Sequence, residues 1–196
     1  MKVIDHIKNS TATRFSFEIL PPLKGMSIQS IYDGIDPLME FKPPFINVTY
    51  HREEHVYKER HDGLLQKISV RKRPGTVGIC AAIINKYHVD AVPHIICGGF
   101  TKEETENALI DLQFLGIENI LALRGDPIKN ETHFIANKAG HQYAVDLVDQ
   151  VVEMNNGNFL NEETGNAAAT NFCIGAAGYP EKHFESMNLK TDLKHL

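Results

Sequence analysis

The chain has 196 residues, enough for one domain with a full hydrophobic core and short for two. Hydrophobic residues at 42% and charged residues at 23% exclude a disordered or collagen-like chain, and no apolar run reaches the ~18 residues of a membrane span. Lys and Arg number 20 against 25 Asp and Glu, so the net charge is −5 and the basic footprint of a nucleic-acid binder is missing.

In chain order, Val3, Ile4 and Ile7 predict a short amphipathic helix, in an N-terminus whose mixed charge does not resemble a secretory signal. Arg14 to Leu20 alternates like a strand and stops at Pro21-Pro22, which cannot donate to a ladder. Ile28, Ile31, Ile35, Leu38 and Met39 carry helical spacing. Phe45 to Tyr50 is the second strand, and residues 51–74, polar and highly charged, form a long excursion with some helix in it. Thr76 to Tyr87 is a helix rich in Ala and Ile, and Ala91 to Cys97 the next strand. Thr101 and Glu104 form a capping box that opens a helix whose buried stripe is Ala108, Leu109, Leu112 and Leu115, and Gly116 stops it. Ile117 to Leu123 is the fourth strand, Gly140 to Met154 a helix, 155–171 a flexible loop, Phe172 to Gly178 the fifth strand, and Glu185 to Leu196 the start of a last helix.

Alternating strands and helices predict a parallel sheet with helices outside it. The strands begin near Phe15, Phe45, Ala91, Ile117 and Phe172. Eight units at that spacing would need ~310 residues, against ~250 for an eightfold barrel. About five units are therefore present, either as an open sheet or as the front part of a barrel. Cys80, Cys97 and Cys173 are odd in number and show no CxxC or zinc spacing. They read as small core fillers, reduced in a cytoplasmic protein.

In a parallel β/α protein the chemistry sits at the C-terminal ends of the strands. Glu18 lies on the face opposite Phe15, Phe17 and Ile19, and its apolar surroundings predict a poorly solvated carboxyl fit to act as a general acid, the alternative being an ion pair with Arg14. Thr49 shares a face with Asn47 and either serves the site or is an ordinary strand former. His94, flanked by apolar residues, is a site group or a satisfied core histidine. It is no metal ligand, for no second His or Cys stands at ligand spacing. Pro93 beside it marks an irregularity in the strand.

Arg124 and Asp126 flank Gly125, which permits close backbone approach, and an Arg there suits a phosphate or carboxylate; a turn with a surface ion pair is the alternative. The small residues 174–178 offer a wall for a flat aromatic ligand or else close packing. Gly98-Gly99 is a phosphate loop or a turn. Glu18, Thr49, His94, Asp126 and Tyr179 thus stand at five successive strand ends. Dinucleotide, P-loop, nucleophile-elbow and zinc-protease motifs are all absent.

The segments FSFEILPP (15–22), NVTY (47–50), PHIIC (93–97), LALRGDP (121–127), YAVDLV (143–148) and AAGYPEKH (176–183), in this order, resemble the methylenetetrahydrofolate reductase family over nearly the whole chain. The resemblance implies a (β/α)₈ TIM barrel, here a single FAD-binding domain over 1–196 that is C-terminally incomplete. It implies reduction of 5,10-methylenetetrahydrofolate to 5-methyltetrahydrofolate in one-carbon metabolism, with NAD(P)H as electron donor and ping-pong turnover through FAD. Small-molecule substrates and a homo-oligomer belong to the same expectation. Glu18 resembles the catalytic acid, and Asp126 the carboxylate that faces the flavin and holds the pterin. Thr49, Tyr50, His94, Arg124, Gly125, Tyr143, Ala144, Tyr179 and His183 resemble FAD contacts, and Asp192 a further contact on the ribityl or diphosphate side.

The excursion 51–74 is longer than the family pattern, and the family's last three strands are missing. A truncated flavin-binding fragment without turnover, and a different β/α enzyme on the same scaffold, are the competing readings. A sheet ending after its fifth strand would leave bare edges at Arg14–Leu20 and Phe172–Gly178, with aggregation or recruitment of another chain as the expectation.

Overall fold

The computed structural model describes residues 1–128, 131–161 and 167–195. Helix α1 (Val3–Lys8) leads to strand β1 (Phe17–Ile19). The strand is shorter than the alternating run 14–20, because its ladder is limited to the residues that oppose Ile46 to Val48. Helix α2 (Gln29–Ile35) buries Ile31 and Ile35 and tightens into a 3₁₀ turn over Asp36–Phe41. Pro37 at the junction has no N–H to continue α-helical bonding. Phe15 and Phe17 both lie against the ring of Phe41. Strand β2 (Phe45–Val48) follows.

The excursion 51–74 contains no helix. It is an antiparallel hairpin of β3 (Glu54–Glu59) and β4 (Leu65–Val70). Asp62-Gly63 makes its turn, with Gly63 at φ +75°, and Asp-Gly between alternating runs is itself a hairpin signal. The high charge hid that signal, since the strands are solvated and their alternation is of polar residues with scattered Val, Tyr and Ile.

Helix α3 (Thr76–Tyr87) buries Ile79, Cys80 and Ile83, and β5 (Asp90–Ile96) is buried almost throughout. Helix α4 (Lys102–Phe114) opens on the Thr101–Glu104 capping box. Leu109 and Leu112 form its buried stripe, whereas Leu115 is 46% exposed, since it is the helix's last cap residue before Gly116 turns the chain at φ +71°. Strand β6 (Asn119–Leu123) is followed by α5 (Ala144–Asn155), which starts later than Gly140 because residues 140–143 form the turn leading into it. Strand β7 (Cys173–Ala176) and helix α6 (Leu189–His195) complete the chain, and α6 begins later than Glu185, where turns hold the backbone instead. Of the loop read as flexible, 162–166 lie outside the described residues, as does Leu196. The loop's ends are pinned by Asn155, whose side chain exchanges hydrogen bonds with the backbone of Phe172 at 2.8 and 3.0 Å.

The parallel sheet has the order β1-β2-β5-β6-β7, so its strands neighbour one another in chain order, with the hairpin set apart as a second, two-stranded sheet. Alternation gives the sheet two unlike faces. Ile46, Val48, Ala91, Ile95, Ile120 and Ala122 point to the helices and join Ile79, Ile83, Leu109, Leu112, Leu147 and Val151 in one core. Glu18, Asn47, Val92, His94, Ile96, Leu121 and Gly175 occupy the other face by register. Helix α1 is tied to the N-terminal end of the sheet, where the Val3 N–H donates to Asn119 Oδ1 at 2.7 Å and His6 meets Asp90 at 2.7 Å. The C-terminal end carries the longer loops and the hairpin.

Pro93 sits inside β5 at a hand-over. Residues 90–93 pair with β2, and residues 94–96 pair with β6. A proline is tolerated in this interior strand because one ladder stops where the next begins.

Candidate active site at the strand C-termini

Glu18 leaves β1 on the face away from the helices. Its side chain is 59% exposed, so the desolvated environment expected from its apolar neighbours is not found. Phe17 and Ile19 point to the opposite side by strand alternation. Its ion-pair partner is not Arg14, which donates instead to Ser10 Oγ at 3.2 Å. Glu18 Oε2 lies 3.6 Å from Nε2 of His94, across β2. His94 is 5% exposed, and its Nε2 is buried without a hydrogen-bond partner, so it is not the satisfied core histidine that its apolar flanks suggested. Burial pushes the imidazole below its ordinary value, and the Glu18 charge partly offsets this.

Thr49 closes the β1–β2 pairing. Its N–H and Oγ1 both donate to the Ile19 carbonyl, at 3.1 and 3.3 Å. The half-buried Tyr50 ring packs edge-on to Phe100 at 5.1 Å. Burial pushes its phenol up, with the nearby Arg71 guanidinium acting against that. Tyr50, Gly75, Thr76, His94, Phe100 and Thr105 line a small cavity of about 90 Å³. A wider groove of about 530 Å³ opens between the β1–α2 loop and the start of α3, lined by Pro22, Met26, Ile31, Arg71 and Pro74 among others.

Gly98-Gly99 forms no open phosphate loop, for the Arg52 side chain packs over it. A Cβ on Gly98 would stand 3.2 Å from Arg52 Cδ. Arg52 is held by Glu131, so the base of the hairpin is tied to the loop after β6. Sequence reading assigned neither residue a role, because in a charged stretch nothing marks which cation is buried.

At the end of β6, Arg124 makes a two-pronged pair with Glu185, at 2.6 and 3.2 Å, and lies over the Phe134 ring at 5.2 Å. The pair raises Arg124 and holds the Glu185 carboxyl below the usual carboxylate range. Gly125 adopts φ +84°, a Cβ there would come to ordinary contact with Ile96 at 3.4 Å, and Asp126 is exposed. Cys97, pushed up to about 12 by burial, donates to the Leu123 and Tyr143 carbonyls, and burial raises the Cys80 thiol also. Tyr143 stands 54% exposed before Ala144 at the start of α5, with its N–H on Asp146 Oδ2 at 2.9 Å.

In β7, Gly175 is a close-packing position, for a Cβ there would meet Leu121 Cδ1 at 3.1 Å, while residues 176–178 are exposed. Tyr179, 55% exposed, meets the His183 ring edge-on at 5.3 Å. Asp192 is buried and fully engaged within the chain. It accepts from Ser186 Oγ at 2.6 Å and from the His183 N–H at 2.8 Å, and these two bonds, in that order, hold its carboxyl below the usual range. Asp192 therefore shapes the 183–192 loop. The structure brings Glu18 to His94, and Arg124 to the loop that carries Tyr179, His183 and Glu185. Glu185 was missed because it sits in what read as a helix.

A family model described as methylenetetrahydrofolate reductase matches residues 2–196. Among curated proteins, the chain is 31% identical over 183 residues to methylenetetrahydrofolate reductase 1 of Schizosaccharomyces pombe, covering 93% of this chain and 25% of that protein. It is 30% identical over 186 residues to methylenetetrahydrofolate reductase (NADH) 1 of Arabidopsis thaliana, covering 93% and 26%. Against 5,10-methylenetetrahydrofolate reductase of Salmonella typhimurium the identity is 28% over 183 residues, covering 92% and 49%. The chain thus spans a quarter to a half of the length of these relatives.

Proposed function

The chain belongs to the methylenetetrahydrofolate reductase family, and from that premise we propose that it carries out, as part of a (β/α)₈ barrel, the NAD(P)H-driven reduction of 5,10-methylenetetrahydrofolate to 5-methyltetrahydrofolate with FAD as its cofactor. The observation that supports this reading is the approach of Glu18 to His94, and of Arg124 to the loop that carries Tyr179, His183 and Glu185, on one parallel sheet whose other face is buried under helices.

The residues fit a flavin dinucleotide. Arg124 already takes a carboxylate in fork geometry while stacked on Phe134, the arrangement that accepts a phosphate oxyanion equally well. The exposed small residues 176–178 and Tyr179 supply a flat, partly aromatic wall. FAD, when bound, supplies the hydride chemistry, and the protein supplies binding, orientation and electrostatics. Arg124 would hold the anionic side of the cofactor, with Gly125, Tyr143, Ala144, Tyr179 and His183 as further contacts. Thr49, Tyr50 and His94 would hold the ring end. Asp126 would face the flavin and hold the pterin. Glu18 gives a proton to the imidazolidine nitrogen of the folate, so that the C–N bond of the one-carbon bridge breaks.

The test is flavin content and turnover of the purified protein. Bound FAD, released by Arg124→Ala, together with methyltetrahydrofolate formation, is expected. Flavin retained unchanged by Arg124→Ala would remove Arg124 from the site, and a colourless protein that acquires no flavin on incubation would overturn the reading.

A further inference from the structure

The reading of Glu18 as an acid leaves a problem that the structure itself poses. The carboxyl is 59% exposed, so burial does not orient it. An acid on a short strand end, free to rotate, would spend little time aimed at a substrate, and orientation is a large part of what an active site contributes. Meanwhile a buried imidazole nitrogen lies 3.6 Å away with nothing bonded to it. A buried polar atom left unpaired is costly, so His94 Nε2 is held where a partner is expected, and Glu18 is the group that faces it.

We propose that His94 is the positioning residue for Glu18: the neutral imidazole donates its Nε2–H to Oε2 of the Glu18 carboxyl, which fixes that oxygen and leaves the acidic O–H on Oε1 aimed at the substrate. The inference rests on Glu18 being the proton donor. Three observations support it. Burial depresses the ionisation of His94, so the neutral ring faces Glu18 near neutral pH. Among the described residues, the charge that acts on His94 is that of Glu18. The anchor is enclosed, since β5 is buried around His94, whereas the Glu18 side chain is exposed and has room to close a contact that is slightly long without ligand.

The chemistry balances without charging His94. The Oε1–H bond breaks as the proton passes to the folate nitrogen, and the bridge C–N electron pair goes to that nitrogen. Glu18 becomes a carboxylate, later reprotonated from water. As charge develops on Glu18, the Nε2–H···Oε2 bond strengthens, because hydrogen bonds to ionised acceptors are roughly twice as strong as neutral ones. The bond thus favours the transition state over the ground state, which is the condition for acceleration.

The test reads the ring first. Nitrogen-15 NMR of histidine-labelled protein assigns the His94 tautomer, independently of any flavin or turnover. The expected result is an Nε2–H tautomer that loses its preference in Glu18→Ala. An Nδ1–H tautomer, which leaves Nε2 nothing to donate, overturns the proposal, as does a tautomer indifferent to Glu18→Ala. In kinetics, His94→Leu is expected to lower kcat of the folate half-reaction roughly tenfold or more with little change in KM. The loss in the folate half-reaction should exceed any loss in reduction of the flavin by nicotinamide, and His94→Gln, whose amide N–H reaches a similar point, should restore part of it. Equal loss of both half-reactions in His94→Leu and His94→Gln would make His94 structural. A protein that shows the Glu18-dependent tautomer but reduces no folate would refute the assigned reaction and leave the pair standing.

Discussion

Glu18 and Gln differ by one proton and little volume, so Glu18→Gln isolates the acid from the packing. The variant is expected to keep its fold and its flavin and to lose folate reduction by ~10²–10⁴-fold. Reduction of the flavin by NAD(P)H should survive, since it needs no proton on folate; stopped-flow measurement of the two half-reactions separates them, and loss of both alike would make Glu18 structural. Asp192 acts on stability instead. Its folded-state ionisation is pushed below the ordinary carboxylate value by Ser186 and the His183 N–H. Its contribution is therefore complete above the unfolded carboxylate value near pH 4 and is lost as pH falls through the lower folded value. Asp192→Asn is expected to flatten the acid limb of a melting-temperature profile, and an unchanged limb would contradict the assignment. Residue type and strand parity showed in the sequence that Glu18, His94 and Arg124 face the rim. They could not show that Glu18 stays solvated, that Nε2 of His94 is bare, or that Arg124 is already gripped by Glu185, because each depends on which loop folds over which strand end.

Helix α4 shows how far local chemistry reaches. Thr101 and Glu104 satisfy each other's backbone amides at 2.8 and 3.1 Å, a pattern written in four consecutive residues and legible before any fold is known. Thr101→Ala is expected to cost about 1 kcal/mol, measured by denaturant unfolding, with no effect on flavin retention. The hairpin β3–β4 was not legible, although Asp62-Gly63 marks its turn. Its strands lack the alternation that burial imposes, and the pairs that dock it, Arg52 with Glu131 and Arg73 with the Pro21 carbonyl, join residues far apart in sequence. The late starts of α5 and α6 have a similar cause. Residues 140–143 and 185–188 carry no strong helix breaker after Gly140, and turn bonding outside the helix sets the boundary.

For the whole molecule, the five-stranded order follows from sequential β/α units, and the one-sided core from the alternation of buried and site-facing residues along each strand. Leu112 lies at the centre of that core with no exposed surface. Leu112→Ala is expected to destabilise by about 2–5 kcal/mol, read as a lowered unfolding midpoint with an unchanged slope. A loss below 1 kcal/mol would mean that the helix layer collapses freely into the gap. Among the described residues no helix is long and apolar enough to cross a membrane.

The hand-over at Pro93 divides the sheet in time as well as in space. The β1–β2–β5 ladder ends at residue 93 and the β5–β6–β7 ladder begins at residue 94, so opening of one need not break a backbone bond of the other. Amide deuterium uptake should therefore fall into two kinetic families. Amides of β2 and the first half of β5 would exchange together, and those of β6 and the last half of β5 would exchange at a separate rate. Glu18 belongs to the first family and Arg124 to the second, while His94 stands at the border between them. A local opening on the Arg124 side would thus leave the Glu18 ladder closed, so that the two halves of the rim loosen independently.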